Sequence, residues 1–91
     1  MQVQAGRALP RVELGELIER TFAPFVGETL ARASMRAQLA RLGIDGPTLT
    51  IAQLELLLDA LEKGLRVFVG SAKAAELIEA VRKEALQGEP P

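Results

Sequence analysis

The sequence predicts an all-α fold, a four-helix bundle built from two pseudo-repeated helical hairpins. Apolar residues recur with the spacing of amphipathic helices in four segments, and no segment alternates with the two-residue period of a strand. The tripeptide Phe25-Val26-Gly27 recurs as Phe68-Val69-Gly70, between flanks of similar kind. Each hairpin leaves an apolar face that the other can cover. We predict that residues 13–43 and 56–86 superpose, with the two glycines at equivalent corners.

The chain of 91 residues has room for one domain. We predict a flexible tail over residues 1–9, a single helical domain over residues 10–87 and a frayed C-terminus over residues 88–91. A domain of this length has a limited core. Its hydrophobic content of 48% is high for such a core. A dimer that buries apolar side chains between its two chains would accommodate the excess.

The first helix is predicted to begin at Pro10, whose missing N–H does no harm in a first turn. Because Pro24 cannot continue the hydrogen-bond ladder, this helix is predicted to end near Phe22 or Ala23. The second helix is predicted to start near Glu28 and to end before Gly43, which takes the left-handed conformation. The three phenylalanines are predicted to lie inside.

A loop over residues 44–49 precedes the strongest local signal, a capping box formed by Thr50 and Gln53. The third helix therefore begins at Ile51. Gly64 either ends this helix or weakens it, and residues 65–69 are predicted to form a short apolar connector. The fourth helix is predicted to begin with Ser71 as its N-cap.

The two middle helices each carry a second apolar ridge, opposite the face that the core requires. On the second helix, this ridge consists of Leu30, Ala33, Ala37 and Ala40. On the third helix, it consists of Ala52, Leu56 and Ala60. Exposed apolar patches mark partner surfaces, so these seven residues are interface candidates. Because one chain offers both ridges, the expected partner is a second copy arranged with two-fold symmetry.

A simpler interpretation is that alanine is a good helix former on exposed surfaces and that Leu56 is a single exposed apolar residue, which is common.

Charges differ between the two middle helices. The second carries Arg32, Arg36 and Arg41, and the third carries Glu55, Asp59 and Glu62. We interpret these six residues as candidates for charge pairs that fix the register of a helix–helix contact. They form either a solvated face or a match between the basic helix and the acidic helix of the same or a second chain.

Composition excludes several kinds of chemistry. The chain contains no Cys and no His, so it lacks the preferred ligands of zinc and the residues of thiolate and Ser–His catalysis. We predict a protein that is not an enzyme, with no cofactor and no metal site. No apolar run approaches the roughly 18 residues of a membrane span, and no secretory signal is recognisable. The expected location is the cytoplasm.

Two other functions remain open. The first is a small helical nucleic-acid-associated protein that uses the three arginines of the second helix. Three arginines make a small footprint, and a net charge of −1 creates no global attraction, so nucleic acid is not the expected partner. The second is a bundle that encloses a small apolar ligand, lined by Met35 and the phenylalanines.

The segment from Phe25 to Ala37, followed by Leu42-Gly43-Ile44 and Leu49-Thr50, resembles small uncharacterised helical domains appended to bacterial signalling proteins. The resemblance covers about the middle half of the chain. It departs from those domains in carrying Phe-Val-Gly twice and in having no receiver or kinase beside it. It implies a regulatory interaction module with no catalytic residues. We therefore expect a non-catalytic helical protein–protein interaction module, homodimeric, that also binds an unidentified protein.

Overall fold

The computed structural model describes residues 8–87, which form four helices and a two-stranded antiparallel sheet. In chain order, the elements are β1 (Ala8–Pro10), α1 (Arg11–Val26), α2 (Glu28–Arg41), β2 (Thr48–Thr50), α3 (Ile51–Val69) and α4 (Ser71–Gln87). The predicted all-α helical bundle is confirmed. The most extensive helix contacts are those of α1 with α2 and of α3 with α4, while α1 also packs on α4 and α2 on α3.

One apolar core joins all four helices. Its helical side chains are Leu14, Leu17, Ile18, Phe22, Ala31, Met35, Leu39, Leu54, Leu57, Leu58, Leu61, Leu65, Ala74, Leu77, Ile78 and Val81. No polar or charged side chain is buried within the described part of the chain. The core therefore rests on apolar packing, and the predicted main stripes are its main contributors.

The described part of the predicted tail is ordered by a short sheet. β1 pairs antiparallel with β2, so that Leu9 lies opposite Leu49, and both side chains are buried. The prediction of a flexible tail was therefore wrong for residues 8 and 9, which belong to β1. The prediction of a loop over residues 44–49 was wrong for residues 48 and 49, which belong to β2. Two three-residue strands are too short to show an alternating pattern in the sequence. The predicted frayed end, residues 88–91, and the rest of the tail lie outside the described residues.

The predicted end of the first helix was wrong, because α1 continues through Pro24 to Val26. A proline in the last turn removes only one hydrogen bond of the ladder. The ladder resumes at once, since the N–H of Gly27 donates to the carbonyl of Ala23 at 2.8 Å. The extra turn also brings Val26 against the core, which compensates for the missing bond.

The end of α2 follows the prediction. Gly43 takes the left-handed conformation, with φ of 71°. The N–H of Gly43 donates to the carbonyl of Ala40 at 3.1 Å, and the N–H of Ile44 donates to the carbonyl of Leu39 at 2.9 Å. These bonds satisfy carbonyls that the helix end would leave free.

The start of α3 also follows the prediction. The N–H of Gln53 donates to the Thr50 hydroxyl at 3.1 Å, and the N–H of Thr50 donates to the Gln53 side-chain oxygen at 2.9 Å. Both halves of the capping box are therefore present, and α3 begins at Ile51.

Replacing Thr50 with alanine is expected to lower the free energy of unfolding by about 0.5–2 kcal/mol, because the first turn of α3 loses its hydroxyl acceptor. Chemical denaturation followed by circular dichroism measures the change. Thr48→Ala, at an exposed strand position two residues earlier, is the matched control. Equal effects of the two substitutions would contradict the role of the cap.

The predicted connector over residues 65–69 was wrong, because α3 continues through Gly64 to Val69. Leu65 is buried in the core, and its burial outweighs the helix-weakening effect of one glycine. The predicted N-cap of the fourth helix is also displaced by one residue, since Ser71 is already helical and Gly70 precedes it.

The two corners have similar local geometry. Gly27 has φ of 90° and ψ of 153°, and Gly70 has φ of 84° and ψ of 164°. A residue with a side chain rarely adopts such a positive φ, so glycine suits both turns. At each corner, the glycine carbonyl accepts the N–H of the fourth residue after it at 3.0 Å. The superposition of the two whole hairpins stays a prediction.

The predicted burial of the phenylalanines was wrong for two of the three. Phe22 is buried, whereas Phe25 and Phe68 are exposed. Both exposed residues occupy the last turn of a helix, two residues before a corner glycine, on a side of the helix that the core does not cover. The Lys73 ammonium lies 5.1 Å from the centre of the Phe25 ring, a cation–π distance. This contact brings the corner of the first hairpin against the start of α4.

Candidate functional site

A small cleft with a cavity volume of about 50 Å³, partly open to solvent, lies between α2 and α3. The polar side chains of the cleft, Ser34 and Gln38, come from α2, whereas α3 contributes only apolar residues and Gly64. The residues around the cleft are Phe22, Val26, Leu30, Ser34, Gln38, Ala60, Leu61, Gly64, Leu65 and Phe68. Buried Phe22, Leu61 and Leu65 belong to the core, so they form the floor. The cleft is thus an opening from the surface onto the apolar core.

Only two of the seven interface candidates line this cleft. Leu30 and Ala60 are half-buried and line it. The other five are exposed, and they are Ala33, Ala37, Ala40, Ala52 and Leu56. Helical spacing places Ala33, Ala37 and Ala40 on the ridge beside the α2 wall, and Leu56 one turn before Ala60 on the α3 side. Ala52, in the first turn of α3, lies beyond the end of the cleft.

Large apolar side chains are exposed mostly on α3. Among residues 8–87 there are five: Leu56 (57% exposed), Val67 (81%), Phe68 (58%), Phe25 and Val12. The first three lie on α3, and Phe25 lies at the corner end of the bundle. Val12 stands apart, in the first turn of α1. We use the name α2–α3 face for the cleft, the α2 alanine ridge and the exposed Leu56, Val67 and Phe68.

Sequence reasoning missed Gly64, Phe68 and Val26 as parts of the cleft. The signal for two of them was present, because Ala60, Gly64 and Phe68 continue the four-residue spacing of Ala52 and Leu56. Because residues 65–69 were predicted to form a connector after Gly64, the ridge of the third helix was followed only as far as Ala60. Val26 was missed for a similar reason, since α1 was predicted to end before it.

Gly64 keeps the cleft open. It lies within α3 at a helical backbone conformation, and a Cβ added there would meet no atom within 4 Å. Packing inside the chain therefore does not require glycine at this position. Because Gly64 has no side chain, the α3 wall of the cleft has a gap between Ala60 and Phe68.

The acidic candidates are paired within their own chain. Arg82 of α4 donates from Nη2 and Nε to the two carboxylate oxygens of Glu55, at 2.8 and 3.0 Å. Asp59 pairs with Lys63 at 3.3 Å, and Glu62 pairs with Arg66 at 3.5 Å. Glu55 is therefore fixed toward α4, away from the cleft.

The basic candidates of α2 separate. Arg32 lies 3.6 Å from Glu19 of α1. Arg41 donates to the side-chain oxygen of Gln38 at 3.4 Å, which holds it at one end of the cleft. Arg36 has no ion pair or side-chain hydrogen bond with the described residues. No ion pair of residues 8–87 joins α2 to α3, so a match between the two helices within one chain is not formed.

The pair between Arg82 and Glu55 holds the pKa of the Glu55 carboxyl below its ordinary value of 4.5, chiefly through the hydrogen bonds from Arg82. The same bonds raise the pKa of Arg82. Because the carboxyl pKa is lowered in the folded state, the pair stabilises the fold above pH 4.5 and stops doing so as the pH falls through the lowered pKa. Both side chains are partly exposed, so this contribution is small.

The cleft differs from an enclosed ligand pocket lined by Met35 and the phenylalanines. Met35 is buried in the core, and its Cε lies 3.7 Å from the place of a Cβ on Gly15 of α1. Phe22 and Phe68 do line the cleft, but it faces solvent. Within residues 8–87, no group of three or more acidic side chains is arranged to hold a metal ion. No helix in that range is long and apolar enough to cross a membrane.

The fold and the cleft define a class of protein, a small helical bundle with an open apolar surface. No family model matches the chain, and neither the curated proteins nor the solved structures compared with it give a significant match. The function is therefore argued from the α2–α3 face itself.

Proposed function

We propose that this chain is a non-catalytic helical protein–protein interaction module that forms a homodimer and regulates another protein by binding it. The proposed location is the cytoplasm. The observation that carries the proposal is the open apolar cleft between α2 and α3, with Leu56 and Phe68 exposed beside it.

The shape of the face supports docking by a helix. The α2 wall presents Leu30, Ser34 and Gln38 at four-residue spacing, over about 12 Å of helix. An amphipathic helix in a groove typically inserts residues at positions i, i+4 and i+7, which span a similar length. The alanines beside this wall let a second helix approach closely.

The distribution of apolar side chains supports the same function. Three of the five exposed large apolar residues within residues 8–87 lie on α3. Contiguous exposed apolar surface is a mark of partner surfaces, whereas scattered single residues are ordinary. A two-fold contact between copies buries the same face on both chains. Self-association would then hide the surface that binds the other protein, which is how the dimer can regulate binding.

Replacing Leu56 with glutamate is expected to weaken self-association by at least about tenfold. Burying one leucine contributes about 1.5–3 kcal/mol, and the substitution also places a charge in the contact. Light scattering over a range of concentrations measures the dimer fraction. Circular dichroism checks that the monomer stays folded, since Leu56 is outside the core.

Val12→Glu is the matched control, because Val12 is also exposed but lies in the first turn of α1, away from the α2–α3 face. This variant is expected to dimerise like the wild type. A wild-type chain that stays monomeric at high concentration would contradict the homodimer. A Leu56→Glu variant that dimerises normally would place the interface elsewhere.

A further inference from the structure

We infer that the second copy docks with its own α3, laid antiparallel on α3 of the first chain, so that the two-fold axis passes between Ala60 and Lys63. The inference rests on the proposed function and adds the helix that makes the contact, its direction and its register. It follows from a narrow stripe of exposed side chains on α3 and from the separation of charges along the same helix.

One continuous stripe runs along the outer side of α3. It consists of side chains that helical geometry places within an arc of about 60°: Leu56, Ala60, Lys63 and Val67. We call these four residues the α3 stripe. Leu56 is 57% exposed, and Val67, at 81%, is the most exposed large apolar residue within residues 8–87. The methylene stem of Lys63 adds apolar surface while its charge stays in water. The α3 stripe is therefore a helix-packing surface that the core of the same chain leaves uncovered.

The α3 stripe matches its own reverse. Leu56 and Val67 lie equally far from the midpoint between residues 61 and 62, and so do Ala60 and Lys63. In an antiparallel two-fold contact centred there, Leu56 lies opposite Val67 of the second copy, and Val67 lies opposite its Leu56. Ala60 lies opposite the stem of Lys63, and its small side chain lets the two helices approach closely. Both exposed apolar residues of each stripe are covered in this one contact.

The charges of α3 select the direction of the contact. Its acids precede its bases, with Glu55, Asp59 and Glu62 followed by Lys63 and Arg66. An antiparallel second copy places the acidic half of one helix against the basic half of the other. A parallel copy would place like charges together, and like charges repel. Charge complementarity therefore favours an antiparallel second copy on the α3 stripe.

Asp59 and Lys63 make most of this match, because Glu55 is already held by Arg82. Within one chain, Asp59 and Lys63 lie 3.3 Å apart, and their side chains are 66% and 68% exposed, so each has room for a second partner. Helical geometry places both on the α4 side of the helix, and an antiparallel two-fold contact brings the α4 sides of the two chains together. Two carboxylates and two ammonium groups then alternate around the axis.

α2 is less suited to the centre of a two-fold contact. It carries three arginines and one acid, so a second α2 would place basic side chains against basic ones. It also carries none of the exposed large apolar residues within residues 8–87. A contact of α2 with α3 of the second copy would cover the α3 stripe mostly with alanines. The test below separates this arrangement from the antiparallel α3 pair.

Charge substitutions test the match. Asp59→Lys is expected to weaken self-association by about fivefold at low salt, because it places a lysine beside Lys63 of the second copy, and Lys63→Glu should weaken it similarly. The variant that carries both substitutions restores the alternation and should associate like the wild type. Light scattering measures the dimer fraction. Glu76→Lys is the matched control, because it breaks the pair with Lys73 on α4 and should leave association unchanged.

Two results of these substitutions would overturn the inference. If neither single substitution changes association, the copies are parallel or meet elsewhere, since a parallel contact opposes like charges before and after each change. If Lys63→Glu strengthens association, the helix faces the arginines of α2 in the second copy.

Cysteine pairing tests the register, and the chain contains no cysteine that would interfere. An equal mixture of the Leu56→Cys and Val67→Cys variants is expected to form an interchain disulfide on oxidation, seen by non-reducing electrophoresis. Each variant alone should not, because the two copies of one position lie about 16 Å apart along the helices, beyond the reach of a disulfide. Disulfides in the single variants but not in the mixture would show a parallel contact and overturn the inference.

The wild-type dimer and its loss in Leu56→Glu test the proposed function separately. If Leu56→Glu prevents association while the charge and cysteine variants behave otherwise than expected, the proposed homodimer stands and this arrangement of it is wrong. A wild-type chain that never associates would overturn both.

Discussion

Replacing Leu58 with alanine will lower the free energy of unfolding by about 2–5 kcal/mol. Leu58 has no exposed surface and lies in the centre of the α3 stripe, between Leu54 and Leu61. Truncation removes its apolar contacts and leaves a cavity that the surrounding helices fill only in part. A domain of this size is stable by only about 4–12 kcal/mol, so the loss is a large fraction of the total.

Leu56→Ala is the matched control, since it is the same substitution two residues away on the outer side of α3. It should change the free energy of unfolding by less than about 0.5 kcal/mol at concentrations where the chain is monomeric. Chemical denaturation of both variants gives the comparison. Similar losses at the two positions would mean that the stripe of α3 is assigned to the wrong side.

Two different substitutions of Gly64 should change two different properties, the free energy of unfolding and the strength of self-association. Gly64→Ala should raise the free energy of unfolding by about 0.5–1 kcal/mol, because alanine favours a helix interior over glycine and its Cβ meets open space. Gly64→Leu should fill the cleft and weaken self-association by at least about tenfold, since it blocks the space that a partner side chain enters. Denaturation and light scattering measure the two effects.

Gly15→Ala provides the matched control for the Gly64 variants. Gly15 is also inside a helix, and its added Cβ would lie 3.7 Å from the Cε of Met35, an ordinary contact. Gly15→Ala should stabilise the chain by a similar amount and leave association unchanged. A Gly64→Leu variant that associates as strongly as the wild type would show that the cleft is not where the partner docks.

The features that could be predicted from the sequence depend on neighbouring residues. Thr50 and Gln53 form their capping box through bonds that span only three residues, and Gly43 ends α2 through its own backbone freedom. The buried stripes follow from helical periodicity alone. The second ridges were visible for the same reason, which is why Leu30 and Ala60 could be proposed before the cleft was known.

The features that could not be predicted depend on contacts between distant segments. α1 continues past Pro24, and α3 past Gly64, because Val26 and Leu65 gain contacts with the core that compensate for a lost bond or a weak helix former. Leu9 is buried because β2, some forty residues later, provides its strand partner.

The cleft itself arises in the same way. Its walls come from three helices, and its depth depends on how far apart α2 and α3 stand over the residues of the core. Glu55 likewise pairs with Arg82 of α4 and not with an arginine of α2. The charges along the chain do not predict which of these two pairs forms. Helical periodicity assigned side chains to faces, whereas packing between helices decided which faces are covered and left the α2–α3 face open.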